Sequence, residues 1–469
     1  LVMADREGDW TLNNEEDMPG FSGSPEGGLV GGLSISVTQT DAAGNVSTAA
    51  TETIISVSRS NSDSSITISG KNPSPGNAVQ VILGGCESGT CVFTHGRNTP
   101  EICYNYIEEP ITDVDGSPFT SGGKGLELIG NSSENTLIGA ETNDVIKSLG
   151  GADTLTGGDG NDTFVYAGTS DLATTENIVE AANGGTDRLK TTDTTDFSSD
   201  LTVNGETSLQ GAGGTNEGIE EVLIEGEKAA TFAGAQLTNL TLAVNESDND
   251  GNTTLDINVS GTSAVDFSSL TFVSFTDGDG FDDGADVIEI DGDGDGNDIT
   301  GTDFADTITG GAGADTLTGG SGADTFVYTA GTDLFDTSDN SLVDTSIDGE
   351  GGIADKIQMD STNGAFTIES ADAADSIANV EQFTATASSN AYSVTLKDAA
   401  GFDTVDLSGD TDAAGDNIVD VSAETGNAYT LKGSAGNDTI TGGAGADTIN
   451  GGGAGADTIN VGGGDDLFI

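Results

Sequence analysis

Residues 433–469 read GSAGNDTITGGAGADTINGGGAGADTINVGGGDDLFI. Aspartates fall at Asp438, Asp447, Asp457 and Asp466, and two positions after each stands Ile440, Ile449, Ile459 or Phe468. The step is nine residues, lengthened once to ten by the extra Gly451. A glycine-rich turn precedes each aspartate, as with Gly442, Gly443 and Gly445 ahead of Asp447. The same register recurs twice upstream. Asp306, Asp315 and Asp324 precede Ile308, Leu317 and Phe326, and Asp144, Asp153 and Asp162 precede Ile146, Leu155 and Phe164. The apolar position continues back to Ile299 and Ile290 in one array and to Leu137 and Leu128 in the other. A flexible glycine-rich linker has no reason to hold Ile, Leu or Phe at a fixed interval, so three arrays in one phase argue against it.

The pattern G-G-x-G-x-D-x-U-x has a direct physical reading. Glycine lets the backbone take positive φ and turn tightly, and the apolar residue points into a narrow core from a short strand. Aspartate offers a hard oxygen and the turn carbonyls offer more, the coordination that calcium prefers. One nonapeptide cannot bury its apolar face alone, so successive turns must stack.

These arrays resemble the RTX repeat proteins, secreted bacterial proteins whose nonapeptides wind into a calcium-filled β-roll. The resemblance covers about a quarter of the chain. It implies several bound Ca2+ ions, each held by one turn's aspartate and the glycine-turn carbonyls of a neighbour. Carried onto this sequence, the carboxylates are Asp144, Asp153, Asp162, Asp306, Asp315, Asp324, Asp438, Asp447, Asp457 and Asp466. The turn positions are Gly151, Gly158, Gly160, Gly301, Gly311, Gly313, Gly320, Gly322, Gly443, Gly445, Gly453 and Gly455. Asn135 and Asn297 depart from the pattern by standing in aspartate slots, which implies weaker sites at those outer turns. The family usually carries a secretion segment after its repeats, whereas this sequence ends at Ile469.

Composition agrees with that reading and excludes others. The 469 residues hold 80 Asp and Glu against 12 Lys and Arg, a net charge of -68. Such a surface repels nucleic acid and anionic membranes. It also repels itself, so the compact state needs counter-ions, for which divalent cations are efficient; solubility in saline surroundings is a second use for the same charge. No stretch of apolar residues is long enough for a membrane-spanning helix. The N-terminus does not read as a signal peptide, and the start at Leu1 reads as a processed or partial chain. Cys86, Cys91 and Cys103 are an odd set in which Cys86 and Cys91 flank a turn that a disulfide could close.

Along the chain, residues 1–121 read as an N-terminal β-rich region. The run from Leu33 to Ser47 resembles the last strand and turn of bacterial immunoglobulin-like surface domains. An irregular β-rich cap is the competing reading. Rolls follow at 122–168, 289–330 and 429–469, with β spacer modules at 169–288 and 331–428. The spacers look like copies: Thr186-Asp-Arg-Leu-Lys matches Ala354-Asp-Lys-Ile-Gln, and Gly218-Ile-Glu-Glu-Val-Leu matches Asn379-Val-Glu-Gln-Phe-Thr. Spacers of this kind resemble those of RTX-bearing bacterial surface-layer proteins. The fold class expected is therefore all-β, parallel rolls or solenoids alternating with β spacers. One helical period is expected, over Asp372 to Phe383. Phe164, Phe326 and Phe468 read as bulky plugs closing each roll. The acidic loop Asp291-Gly-Asp-Gly-Asp-Gly lacks the closing Glu of an EF-hand, since Thr302 stands there, and reads as feeding the first turn of the second roll. Asp277, Asp279, Asp282 and Asp283, with Asp248 and Asp250, are further acidic turns that calcium could bind.

Catalytic machinery is not found. His95 is the only histidine, so H-E-x-x-H cannot occur, and no nucleophile elbow, P-loop or dinucleotide motif is present. The expectation is an extracellular, calcium-binding structural protein of a bacterial surface layer, matrix or filament, exported by a type I system. Its partners would be copies of itself and a cell-surface glycan anchor. The alternatives are an adhesin stalk whose N-terminal region binds a partner, and a secreted RTX hydrolase.

Overall fold

The computed structural model describes the backbone of strands at 2–4, 10–12, 55–59, 65–71, 79–82, 92–95 and 102–103. It then describes 112–120, 125–172, 176–180, 185–211, 218–246, 253–261, 264–272, 286–334, 342–360, 364–369, 376–386, 392–397, 401–412 and 416–469, with backbone alone at 331–332 and 364–369. Two compact units result: Leu1–Ala230 with Thr241–Asn249, and Thr231–Leu240 with Asp250–Ile469.

Local sequence accounts for the strands. The repeated triads Thr154–Thr156, Thr316-Leu-Thr and Thr439–Thr441 place one apolar residue between two β-branched threonines, which favours a pleated strand. The central side chain is buried and its neighbours face outward. These three strands are three to five residues long, kept short by the glycine turns between them.

In the first unit the chain alternates between two parallel sheets. One runs through Val79–Ile82, Leu126–Ile129, Val145–Lys147, Thr163–Tyr166, Arg188–Thr191, Glu221–Ile224 and Ala243–Glu246. The other runs through Ser65–Lys71, Asp113–Asp115, Thr136–Ile138, Thr154–Thr156, Glu176–Val179 and Leu201–Val203. Leu128, Ile146, Phe164, Leu189 and Val222 stack in register on the first sheet, and Leu137, Leu155, Ile178 and Val203 on the second, all fully buried. The parallel ladder therefore passes from roll to spacer without a break.

The second unit repeats the scheme. One sheet runs from Thr254–Asn258 through Val287–Asp291, Asp306–Thr309, Thr325–Tyr328, Lys356–Met359, Gln382–Ala385, Thr404–Asp406, Thr430–Lys432 and Thr448–Asn450 to Leu467–Phe468. It is accompanied first by Ala264–Asp266, Asp298–Thr300, Thr316–Gly320, Ser346–Glu350 and Ile377–Ala378. Further on its companions are Gly364–Glu369, Tyr392–Lys397, Ile418–Asp420, Thr439–Thr441 and Thr458–Asn460. Ile290, Ile308, Phe326 and Ile357 form its central stack. Truncating Ile308, which is fully buried, to alanine is expected to cost about 2–5 kcal/mol. Denaturant unfolding in saturating calcium checks this, as a lower midpoint at unchanged slope.

The all-β parallel expectation holds, and two details differ. Phe164 and Phe326 are not plugs: each is covered by the next coil, on Leu189 and Ile357, while Phe468 is 61% exposed. The ring fills a strand position and the coil simply continues over it. Of the stretch Asp372 to Phe383, where a helical period is expected, residues 372–375 lie outside the described residues and the rest forms strands Ile377–Ala378 and Gln382–Ala385. Ile377, Val380 and Phe383 share the core because the chain turns a corner at Asn379, whose φ is 52°. Three-residue spacing can thus come from a corner as well as from a helix. His95, the single histidine, ends strand Val92–His95, which pairs antiparallel with Val79–Ile82. The immunoglobulin-like run, Cys86, Cys91 and the clusters Asp248/Asp250 and Asp277–Asp283 lie outside the described residues.

Candidate metal centre

Each turn of a roll ends in an aspartate whose two oxygens do different work. Oδ1 accepts the backbone N–H of the corresponding slot residue one coil earlier. Leu126 donates to Asp144, Asn135 to Asp153, Asp144 to Asp162, Asn297 to Asp315 and Asp306 to Asp324, at 2.6–2.9 Å. In the last array Asn417, Tyr429, Asp438 and Asp447 donate to Asp438, Asp447, Asp457 and Asp466 at 2.9–3.0 Å. Nine of the ten expected aspartates accept in this ladder, and Asp306 enters it as the donor to Asp324, its own Oδ1 accepting the Thr302 hydroxyl at 3.0 Å. In the first two rolls the step is 18 residues, two nonapeptides per coil, and in the last roll the extra Gly451 lengthens it to 19.

Oδ2 faces the glycine turn. In Asp144, Asp306, Asp438 and Asp447 it accepts the N–H of the residue four positions back, Ala140, Thr302, Ser434 or Gly443. In Asp153, Asp162, Asp315 and Asp324 it is buried with no hydrogen-bond partner. A buried carboxylate oxygen without a partner is costly. Burial is the first cause that pushes Asp153 up to about 7, Asp162 to about 8 and Asp324 to about 7, against the restraining backbone N–H of Asn135, Asp144 and Asp306 respectively. Burial raises Asp144 and Asp315 too, and Asp306 well above the usual carboxylate range.

The turns bring carbonyls to the same place. A methyl group on Gly301 would overlap the Gly319 carbonyl and Asp306 Oδ2, so only glycine lets these two oxygens close on one point. Gly158 (φ 110°) and Gly160 (φ 129°) take the left-handed backbone that the corner requires. Gly151, Gly311, Gly313, Gly320 and Gly322 share it, and Gly443, Gly445, Gly453 and Gly455 occupy the matching corners of the last array without it. Gly301→Ala is expected to lower both calcium affinity and thermal midpoint, the latter by more than the few tenths of a kcal/mol that an exposed alanine costs; calorimetry with and without calcium measures it.

Convergent carbonyls, ordered carboxylates and buried partnerless oxygens suit a hard divalent cation with oxygen ligands at 2.3–2.6 Å. Calcium bound there would supply the positive charge that the buried Oδ2 atoms lack. Asn297 cannot serve in the same way, because its Oδ1 already accepts the Asp293 N–H at 3.0 Å and its Nδ2 donates to the Gly261 carbonyl. The loop Asp291–Gly296 is itself the first turn of the second array: Ala312 N–H donates to the Asp293 carbonyl.

The ladder also extends where no repeat was expected. Asp162 N–H donates to Asp187 and Asp187 N–H to Glu220, at steps of 25 and 33 residues. Asp324 donates to Asp355, and Asp355 to Glu381. On the facing sheet Asp153 donates to Glu176 and Asp315 to Asp344. A residual signal was present, an acidic residue two places before a core residue, as in Asp187/Leu189, Glu220/Val222, Asp355/Ile357 and Glu381/Phe383. Longer turns concealed its period. Burial, chiefly, pushes Glu176 up to about 8 and Asp344 to about 7. A buried tyrosine serves each of them: Tyr166 Oη donates to Glu176 at 3.1 Å, and Tyr328 Oη donates to Asp344 in a short contact. Tyr328→Phe is expected to cost about 1–3 kcal/mol, the desolvation of the carboxylate it abandons, read as a lower denaturant midpoint.

The fold and these sites define a calcium-binding parallel β-roll solenoid. The chain carries the RTX calcium-binding nonapeptide repeat, whose family model matches residues 129–164, 291–326, 300–335, 430–453 and 452–469. Repeats of this kind bind Ca2+ at multiple sites. No match was found among curated proteins or solved structures.

Proposed function

We propose that the chain is an extracellular structural protein, a subunit of a surface layer, matrix or filament, stiffened by calcium after export. The observation that supports it is continuity: within each unit, apolar stack and carboxylate ladder run from roll into spacer as one coil. Such a coil gains rigidity along its length from each ion it holds. RTX repeats point to a secreted calcium-binding protein, and among the described residues no helix is long and apolar enough to cross a membrane. Scarce cytosolic calcium would leave the acidic chain unfolded for type I export, and external calcium would fold it.

The proposal includes self-association and no catalysis. Electron microscopy of the native protein in millimolar calcium is expected to show ordered sheets or filaments that dissolve in chelator. Monodisperse particles in calcium would overturn assembly. A variant lacking residues 1–121 that assembles yet no longer adheres to cells would favour the adhesin stalk, and turnover of protein or polysaccharide would favour a hydrolase.

A further inference from the structure

The two places where a roll passes into its spacer share one register and differ at a turn position. Ile178 lies on Leu155, and Ile347 on Leu317, in the same register. Two residues beyond each apolar side chain the repeat places its first turn glycine. In the second unit that position stays glycine, at Gly319 and again at Gly349. In the first unit Gly157 is followed, one coil on, by Glu180.

The exchange alters the ladder. Gly139 and Gly301 donate their N–H to backbone carbonyls of the next coil, those of Thr156 and Thr318. Gly157 instead donates to the Glu180 side chain, Oε1, at 3.0 Å. Glu180 is thereby folded inward, beside Asp162 and Asp187, and each of the three offers an oxygen within 4.8 Å of the others. Their exposures are 6%, 1% and 2% respectively.

Hydrogen bonding leaves this cluster uncompensated. Asp162 Oδ1 takes the Asp144 N–H at 2.7 Å, and Asp187 Oδ1 takes the Asp162 N–H at 2.8 Å. Asp162 Oδ2 and Glu180 Oε2 are buried and have no hydrogen-bond partner. The nearest basic residues in sequence are engaged elsewhere, Arg188 with Glu221 at 2.6 Å and Lys190 with Glu225 at 2.9 Å. Three carboxylates at this spacing can be spanned by one ion with bonds of about 2.3–2.6 Å, which suits calcium better than the shorter, octahedral bonds of magnesium.

We infer that Asp162, Glu180 and Asp187 form a separate three-carboxylate calcium site that locks the end of the first roll onto its spacer. It deepens the calcium reading of the repeats, because Asp162 belongs to both. A repeat turn supplies one aspartate and neutral carbonyls, so this site carries more negative charge, and charge count is a principal control of calcium affinity. It is the last ion released from the first unit as free calcium falls. Among the described residues the second unit has no counterpart, and a side chain at its equivalent position, Gly349, would strike the Asn379 carbonyl and Asp355.

The test uses the full chain, equilibrated with calcium alone in buffers of falling free calcium, with bound ions counted by native mass spectrometry. Glu180→Gln keeps an oxygen to accept the Gly157 N–H but removes the charge, and Asp187→Asn does the same for the Asp162 N–H. Each is expected to weaken the tightest binding step by about 10–100-fold, whereas Asp355→Asn in the second unit leaves that step unchanged. An unchanged tightest step in Glu180→Gln, with the remaining ions still bound, overturns this site and leaves the repeat sites standing. Loss of all calcium binding by the unsubstituted chain would instead overturn the calcium reading itself. Should a variant fail to fold, an experimental structure of the unsubstituted chain grown in calcium decides: an ion on Glu180 Oε2 supports the site, and its absence with ions in the repeats overturns it.

Discussion

Excess EGTA is expected to abolish most of the β signal and the cooperative thermal transition of this chain, and millimolar calcium to restore both. The magnitude follows from linkage. A site held at 100 times its dissociation constant adds about 2.7 kcal/mol to the folded state, while a whole domain is stable by only about 5–15 kcal/mol. Three repeat aspartates stand in the first unit and seven in the second, so losing one ion per aspartate removes about 8 and about 19 kcal/mol respectively, comparable to or above the whole stability of a domain. Removing them also restores the full repulsion of a net charge of -68. Hydrophobic burial cannot make up the difference, because roll strands such as Thr154–Thr156 and Thr448–Asn450 contribute one core side chain between two half-exposed neighbours. Far-ultraviolet circular dichroism against temperature, with and without chelator, is the measurement. An identical melting point in both conditions would overturn the role given to calcium throughout.

The rolls were legible in sequence because two independent periodicities coincide there. Asp162 and Phe164, or Asp324 and Phe326, repeat a spacing that a strand and a turn together impose, and the glycines mark the corners. The facing of Oδ1 and Oδ2, one toward the previous coil and one toward the turn, was not legible, because it depends on which coil lies next to which. The spacers hid more. Between Asp162 and Asp187 the chain inserts an enlarged turn, and between Asp187 and Glu220 a larger one, so a period of 18 becomes 25 and then 33. Turn length is free to vary where the turn faces solvent, whereas the register of Phe164 on Leu189 is held by the core. Glutamate at Glu176, Glu220 and Glu381 further disguised the ladder, its longer side chain reaching the same backbone N–H that aspartate reaches in the rolls. Glu180 belongs to the same lesson: it reads as a spacer residue in the sequence and lies in a turn-glycine position in space.

The buried carboxylates lead to a second large effect, an inversion of pH dependence by calcium. Asp153, Asp162 and Asp324 are raised to about 7 or 8 in the folded chain, first by burial, and ordinary unfolded aspartates titrate near 3.9. Between those limits the folded state binds more protons than the unfolded one, so stability falls as pH rises. Without metal, therefore, the contribution is fully present below about pH 4 and is lost as pH climbs through about 8. A proton does imperfectly what a cation does well, neutralising an oxygen that has no donor. Metal-free protein, which lacks a cooperative transition near neutral pH, is thus expected to regain β signal and a thermal transition on acidification from pH 8 to pH 5, since each pKa unit is worth about 1.4 kcal/mol. With calcium the sign reverses. Protons now compete with the ion for Asp162 Oδ2 and its equivalents, so the midpoint falls over the same interval and calcium affinity weakens. Melting curves at pH 5, 6, 7 and 8, on metal-stripped and calcium-saturated protein, display the two slopes side by side. Parallel slopes would mean that protons and calcium do not share these oxygens.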